Sequence, residues 1–192
     1  YLRALADRDR ETLLEMATPV FLQLRNGARV THFYFTDRDC VNVARVHKPD
    51  KYGDVIDRFT TREAERTKTP ARGIELGPLG TLTMRVVHPL LEQGEVVGYI
   101  ELGHEMQHLI EFLHEVRDCE VFALVRKDHL DREGWESGMR MLGRGVQWDR
   151  FPHHVATGDI PANLPPELTE SLLRGELVPA DDAGGSKTDG RH

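Results

Sequence analysis

The sequence predicts an α+β domain built on one five-stranded antiparallel sheet, with a long N-terminal helix and further helices flanking it. Two observations support this prediction. Along residues 1–116, apolar residues change from helical spacing to strand-like alternation and back to helical spacing. The alternating segments are separated by turns that contain glycine, proline or aspartate, as expected between antiparallel strands. Beyond residue 117, a strand and two helical segments predict a small C-terminal α/β accessory module.

The first element is a helix over residues 1–26, and Gly27 is its predicted C′ residue. One face of this helix carries Leu13, Ala17, Val20, Phe21 and Leu24. Pro19 lies within the helix and should kink or divide it. The pattern allows two interpretations, a stalk that leaves a membrane helix or an ordinary helix that packs on the sheet.

Alternation of apolar and polar residues predicts five strands, at residues 31–37, 40–47, 71–76, 81–88 and 96–102. A loop over 48–54 and a short polar helix over 60–68 interrupt this series. Thr60 or Thr61 is expected to cap the short helix, and Pro70 to end it. After Gly103 the helical period returns and continues to about residue 116.

The C-terminal part is predicted to hold a strand over 120–125 and a helix capped by Asp131. A second helix over 165–175 has Pro166 at its first position and Gly175 at its end. No further strand pairing is expected, so this part should not form a sheet of its own. The predicted boundaries are a first module at 1–117, an accessory or truncated module at 118–178, and a disordered polar tail at 179–192.

Composition excludes several classes of protein. The net charge of −7 disfavours a general role in binding nucleic acid or anionic membranes. No apolar run approaches the roughly 20 residues of a membrane-spanning helix, and both ends of the sequence suggest a fragment of a longer chain. Cys40 and Cys119 form no CxxC motif, which leaves either one disulfide or two buried thiols.

Residues 104–108 read HEMQH and match the H-E-x-x-H pattern of zinc proteases. A catalytic zinc also needs a third protein ligand, and the sequence shows no suitable extension of the motif. His104 is expected in the first turn of the helix that follows Gly103, on the same face as His108. The preferred interpretation is a solvated histidine edge, and the alternatives are a weak or sensory metal site and protease chemistry.

A set of polar side chains is predicted to share one face of the sheet. Arg45 and His47 are two residues apart on one strand and therefore project from the same side. The candidate ligand-binding residues are Tyr34, Arg45, His47, Arg85, Tyr99 and Glu101. Guanidinium groups suit carboxylates, so one interpretation is a pocket for a small anion such as an organic acid or amino acid. The other is an internal pair, for example between Arg85 and Glu101, that stabilises the sheet.

Two stretches, FYFTDRDCVNVARVHKPDKYGD and TPARGIELGPLGTLTMRVVHPLLEQGEVVGYIELG, resemble Cache-type sensor domains, the extracytoplasmic PAS-like domains of bacterial receptors. The resemblance lies in an ordered series of short motifs over residues 1–117. Its residues are Arg45, His47, Pro49, Gly53, Asp54, Gly73, Glu75, Arg85, Pro89, Gly98, Glu101 and Gly103.

The resemblance implies a PAS-like sheet and a periplasmic, ligand-sensing domain of an inner-membrane receptor, such as a histidine kinase, chemoreceptor or diguanylate cyclase. The isolated domain is then not an enzyme, binds a small molecule without metal or cofactor, and forms a homodimer through its N-terminal helix. Two other hypotheses remain, a zinc-dependent hydrolase that uses HEMQH and a dimerisation or spacer module that senses nothing.

Overall fold

Five strands form one antiparallel sheet in the order β2-β1-β5-β4-β3, which confirms the predicted fold class. The strands are β1 (His32–Asp37), β2 (Asn42–Arg45), β3 (Ala71–Leu76), β4 (Leu82–Glu92) and β5 (Glu95–Glu105). The structure is a computed structural model that describes residues 1–77, 80–116, 121–158 and 160–176. The chain divides into two compact units, Tyr1–Val121 and Phe122–His192.

Six α-helices lie within the described ranges. They are α1 (Leu2–Ala6), α2 (Arg10–Ala28), α3 (Phe59–Thr67), α4 (Met106–Val116), α5 (Arg132–Met141) and α6 (Pro166–Arg174). None of them is both long enough and apolar enough to span a bilayer.

One face of the sheet is covered by the N-terminal helices. Leu5 of α1 and Leu13 and Phe21 of α2 pack in one buried cluster with Phe33 and Phe35 of β1. These positions repeat every three to four residues in the helices and every two in the strand, so each element buries one apolar side. This layer is the main apolar core of the first unit.

Close packing of α1 against β5 depends on Gly98. A Cβ atom at this position would lie 2.3 Å from the carbonyl oxygen of Thr36 and 2.7 Å from Cδ2 of Leu5. Any side chain here would force the helix or the neighbouring strand to move. The glycine therefore sets the distance between the N-terminal layer and the sheet.

The N-terminal helix is not divided at Pro19, so that part of the prediction is wrong. Helix α2 continues through Pro19, and the chain divides earlier, at Asp7–Asp9. There Arg8 adopts a left-handed conformation with φ of 53°, and the Asp9 side chain accepts a hydrogen bond from the Thr12 N–H at 3.1 Å. An N-cap of this kind starts a new helix. Gly27 lies inside α2, and Arg29 is the C-terminal residue that takes the left-handed conformation.

Helix α3 and the loop before it cover the opposite face of the sheet. Ala64 of α3 packs in a second buried cluster with Cys40, Ala71, Val87 and Tyr99. The thiol of Cys40 is free and buried, and burial raises its pKa to about 11. Cys119 and the whole predicted polar tail, residues 179–192, lie outside the described residues.

The second unit contains a small sheet that the sequence did not predict. Strands β6 (Leu124–Arg126) and β7 (His154–Ala156) pair in antiparallel orientation. Each has three residues, too few to show a period of two. The predicted helices are present, with the Asp131 side chain accepting from the Gly134 N–H at 2.7 Å and Gly175 in the left-handed conformation after α6.

Candidate ligand-binding site

The candidate site lies on the face of the sheet that α3 and its preceding loop cover. Strand register places Tyr34 of β1 directly between Arg45 of β2 and Glu101 of β5. Arg85 of β4 is opposite Gly103, one row further along the same face. His47 follows β2, and its ring centroid lies 4.8 Å from that of Tyr34. The structure thus brings together five of the six predicted residues.

Tyr99, the sixth, lies on the same face two residues before Glu101, in the apolar cluster beneath α3. It is opposite Thr36 of β1 and is 2% exposed. Burial raises the pKa of its phenol to about 12. The ring contributes to packing beside the charged residues.

Glu101 is the centre of the charged group. Its Oε1 accepts hydrogen bonds from Nη1 of Arg85 and from Nη1 of Arg58, the latter at 2.8 Å. The Glu101 and Arg85 side chains are 2% and 4% exposed, whereas the Arg58 side chain is 26% exposed. The internal Arg85–Glu101 pair, one of the two interpretations of the sequence, is therefore present, and Arg58 joins it from the covering segment.

Glu75 ties the sheet to the start of α3. Its Oε1 accepts from the backbone N–H and the hydroxyl of Thr60, at 2.7 and 2.8 Å, and its Oε2 lies 3.2 Å from Nε of Arg85. A carboxylate at this point satisfies an unpaired amide at the helix N-terminus and stabilises the positive end of the helix dipole. The predicted cap by Thr60 or Thr61 is wrong, because the cap comes from the neighbouring strand.

Arg45 holds the covering loop against the sheet. Its Nη2 donates to Oδ2 of Asp54 at 2.8 Å, and its Nη1 donates to the carbonyl oxygen of Lys51 at 3.2 Å. Asn42 donates to the other oxygen of Asp54 at 3.2 Å. Burial alone would raise the pKa of Asp54, but the hydrogen bonds from Arg45 and Asn42 outweigh it and lower the pKa. Asp54 is thus the anionic partner of Arg45.

Tyr34 lies between two guanidinium groups. The Cζ atoms of Arg45 and Arg58 are 5.0 and 5.1 Å from the centre of its ring, and Arg58 Nη2 donates to its hydroxyl at 3.4 Å. Cation–π contacts of this kind hold planar cations at a fixed distance from a ring. The tyrosine therefore orients two of the three arginines on this face.

Two neutral histidines border the charged group. The ring centroids of His32 and His47 are 4.8 Å apart, and the Phe33 N–H donates to Nδ1 of His47 at 3.1 Å. Burial is the largest cause that lowers the pKa of His32 to about 3 and that of His47 to about 4. The nearby arginines lower both values further. Both rings are neutral at pH 7.

This protonation state predicts a loss of stability in mild acid. An unfolded histidine takes up a proton near pH 6.5, whereas folded His47 resists protonation until about pH 4. The contribution of the neutral histidine to stability is complete above pH 6.5 and decreases as the pH falls toward the folded pKa. For His47 the decrease between pH 7 and pH 5 is about 2 kcal/mol.

The measurement is urea unfolding of wild type and His47→Asn at pH 7 and pH 5. Asparagine keeps an acceptor for the Phe33 N–H but cannot titrate, so its stability should depend less on pH, by about 2 kcal/mol. Exposed His88, as His88→Asn, is the control. An unchanged pH dependence in His47→Asn would contradict the assignment.

Three residues of this face were not among the predicted ligand-binding residues, namely His32, Arg58 and Glu75. Alternation in β1 places His32 on the same side as Tyr34, so the sequence contained that signal. In β3, alternation places Glu75 on the same side as Gly73, so the sequence contained that signal too. Arg58 precedes α3 outside any periodic segment, and only the tertiary structure shows that it reaches Glu101.

Two buried polar atoms on this face have neither a hydrogen-bond nor an ion-pair partner among the described residues. They are Oε2 of Glu101 and Nε of Arg45, whereas Oε2 of Glu75 and Nε of Arg85 face each other as an ion pair at 3.2 Å. Buried polar groups are usually paired, and unpaired ones mark places where another molecule completes the network. The two atoms are an acceptor and a donor, so they match a small solute that carries groups of both kinds.

The HEMQH segment does not form a single helix. His104 and Glu105 are the last two residues of β5, and α4 begins at Met106, so the prediction that His104 begins the helix is wrong. The described part of the chain contains no cluster of three or more His, Cys, Asp and Glu side chains that could hold a metal. It therefore provides no third ligand of these types for a catalytic zinc.

The fold, a five-stranded antiparallel sheet with flanking helices, is that of the PAS-like sensory domains. A model of the family dCache_3, described as the double sensory domain of two-component sensor kinases, matches residues 1–139. The chain belongs to this family. The predicted resemblance to Cache-type sensor domains is confirmed. A search of curated proteins found no match to the sequence.

Solved structures of sensor domains are similar in fold. The sensor domain of the histidine kinase DctB from V. cholerae has 14% identity and a TM-score of 0.48, over 57% of this chain and 44% of that one. The sensor domain of DcuS from E. coli has 15% identity and a TM-score of 0.41, over 47% and 67%. A domain of a sensory box/GGDEF family protein from Vibrio parahaemolyticus has 18% identity and a TM-score of 0.48, over 84% and 76%. The chain thus spans less than half of the DctB domain.

Proposed function

We propose that this sensory domain lies in the periplasm, as part of a bacterial inner-membrane receptor, and binds a small solute with a carboxylate group. The solute, an organic acid or an amino acid, would lie between the sheet and the segment that covers it, residues 48–67. The observation that carries the proposal is the convergence of Arg45, Arg58 and Arg85 on the Tyr34–Glu101 row of the sheet.

Charge and geometry favour a carboxylate over a neutral solute. A guanidinium presents donors in a planar fork that matches a carboxylate, and three such groups lie on one small face. Arg58 is the most accessible donor, because its side chain is 26% exposed while that of Arg85 is 4% exposed. An incoming carboxylate would compete with Glu101 for Arg58. The unpaired Oε2 atom of Glu101 would then accept from an amino group, if the solute has one.

The signal would leave the domain through its flanking helices. Arg58 belongs to the covering segment and Glu101 to β5, and β5 leads directly into α4. A solute that replaces the Arg58–Glu101 contact would change how the covering segment packs on the sheet. Signalling requires that the solute bind more tightly to one of two arrangements of the domain.

A homodimer through the N-terminal helix is part of the proposal. Met16, Val20 and Leu22 of α2 are 44, 39 and 49% exposed, on a helix whose other side packs on the sheet. Met16 and Val20, four residues apart, are neighbours on the exposed side of this helix, and exposed apolar neighbours favour a partner surface. In the full-length protein, we propose that this helix is tethered to the membrane and that the output is a histidine kinase or a diguanylate cyclase.

A screen of small solutes by thermal shift tests the proposed function. The panel holds monocarboxylates, dicarboxylates and α-amino acids, with neutral sugars and polyols as matched controls. We expect at least one carboxylate to raise the melting temperature, by roughly 5 to 10 °C at about 100 times its Kd. No shift from any carboxylate, or a shift from neutral solutes only, would contradict the proposal and favour a spacer module.

A further inference from the structure

The junction between β5 and α4 holds three buried polar atoms without a hydrogen-bond partner among the described residues. They are Nε2 of His104, Oε1 of Gln107 and Nδ1 of His108. None of these residues belongs to the candidate ligand-binding site. Three unpaired polar atoms within five consecutive residues are unusual, because buried polar atoms are normally paired.

The change from strand to helix places the two histidines side by side. His104 is the penultimate residue of β5, and His108 is the third residue of α4. Their ring centroids are 5.9 Å apart, with an angle of 41° between the planes. A metal ion about 2.0–2.1 Å from each of two imidazole nitrogens would hold the ring centroids roughly 5 to 6 Å apart. The observed separation falls within this range.

The unpaired atoms of the junction are imidazole nitrogens and an amide oxygen, which are kinds of atom that ligate metals. Nε2 of Gln107 donates to Oε1 of Glu111 at 3.4 Å, which assigns Oε1 of Gln107 as the unpaired acceptor. The junction therefore contains two ring nitrogens and one amide oxygen that are unpaired among the described residues.

We propose that His104 and His108, together with Gln107, bind a divalent transition-metal ion at the junction of β5 and α4. Imidazole ligands suit zinc, copper and nickel, and divalent affinity increases toward copper. Since two histidines and one amide leave further positions to water, the site would bind reversibly and would not be a closed structural zinc site. A bound ion would link the end of the sheet to the helix that follows it.

Titration with Zn²⁺ and Cu²⁺ tests the site in the whole chain, with a chromophoric chelator as competitor. We expect one equivalent of each ion to bind, with Cu²⁺ the tighter. The variants His104→Gln and His108→Gln should each weaken binding at least 10-fold, while His88→Gln, an exposed histidine of the same unit, should not. The melting temperature should rise by roughly 5 to 10 °C at about 100 times the Kd of either ion.

Two results would overturn the proposal. One is stoichiometric binding that the double variant His104→Gln/His108→Gln leaves unchanged. The other is binding lost only in His153→Gln/His154→Gln, which removes the histidine pair of the second unit. Circular dichroism of each variant shows whether the fold is kept. Because none of these variants changes a residue of the candidate ligand-binding site, the result is independent of the solute screen.

Discussion

Glu101→Gln is expected to destabilise the domain by about 3–5 kcal/mol, the usual cost of breaking a buried ion pair from one side. The Glu101 side chain is 2% exposed and accepts hydrogen bonds from both Arg85 and Arg58. The amide keeps the size of the side chain but removes its charge. The Arg85 guanidinium, 4% exposed, would then depend on Glu75 alone. Urea unfolding of wild type and variant at pH 7 measures the difference.

A double variant separates loss of the pair from loss of packing. In Arg85→Met/Glu101→Leu, apolar side chains replace both members of the buried ion pair. Neither member is then left as an uncompensated buried charge, so we expect most of the lost stability to return. Arg62→Ala is the control, because Arg62 pairs with Asp57 and Glu65 at 42% exposure and should change stability by less than about 1 kcal/mol. If Glu101→Gln changed stability as little as Arg62→Ala, the Arg85–Glu101 pair would contribute little to the stability of the domain.

Arg58→Ala is expected to weaken binding of the carboxylate found in the solute screen by about 100-fold or more. Truncating one partner of a largely desolvated charge pair costs about 2–5 kcal/mol of binding free energy. The residue lies in the covering segment at 26% side-chain exposure, so the apo domain should keep its fold. Isothermal titration calorimetry of wild type and variant measures the affinity.

Arg62→Ala is again the matched control, since Arg62 lies four residues later on α3 and points its guanidinium to Asp57 and Glu65. Its affinity should equal that of wild type. Arg58→Lys tests the geometry of the contact. Lysine keeps the charge but lacks the planar fork, and we expect intermediate affinity. Equal affinities of wild type and Arg58→Ala would contradict the assignment of Arg58 to the site.

Much of the sheet could be predicted from the sequence, because apolar and polar residues alternate along its longer strands. The predicted bounds of β3, 71–76, agree with the structure. β4 continues to Glu92 instead of residue 88, and β5 extends over Glu95–Glu105 instead of 96–102, whereas β2 is shorter than the predicted 40–47. Where the pattern was short, prediction failed. The three-residue strands of the second unit contain too few positions to show alternation.

The sequence-based prediction of helix ends failed where two local signals indicated different positions. Pro19 indicated a break, yet the chain divides where Asp9 caps α2 and Arg8 takes a left-handed conformation. The hydrogen bonds of an N-cap start a helix, whereas a proline inside a helix removes only one backbone hydrogen bond. At α3, no local signal indicated the cap, because Glu75 comes from another element.

For the candidate site, strand alternation predicted which residues share a face but not their partners. It placed Tyr34, Arg45 and Glu101 together, and the structure confirms that arrangement. It did not find Arg58, because that side chain comes from a segment without a period. Whether an arginine pairs with a neighbouring carboxylate or with a solute is decided by distances between strands, which a sequence does not contain.

Hydrogen exchange with and without the carboxylate from the solute screen tests the central proposal most directly. We expect the bound solute to protect the covering segment, residues 48–67, and the part of β5 around Glu101, because these elements supply the charged face. The apolar layer of α2 on the opposite face should change less. Protection confined to residues 122–176, or to the N-terminal helices, would show that the solute binds elsewhere and would contradict the proposed site.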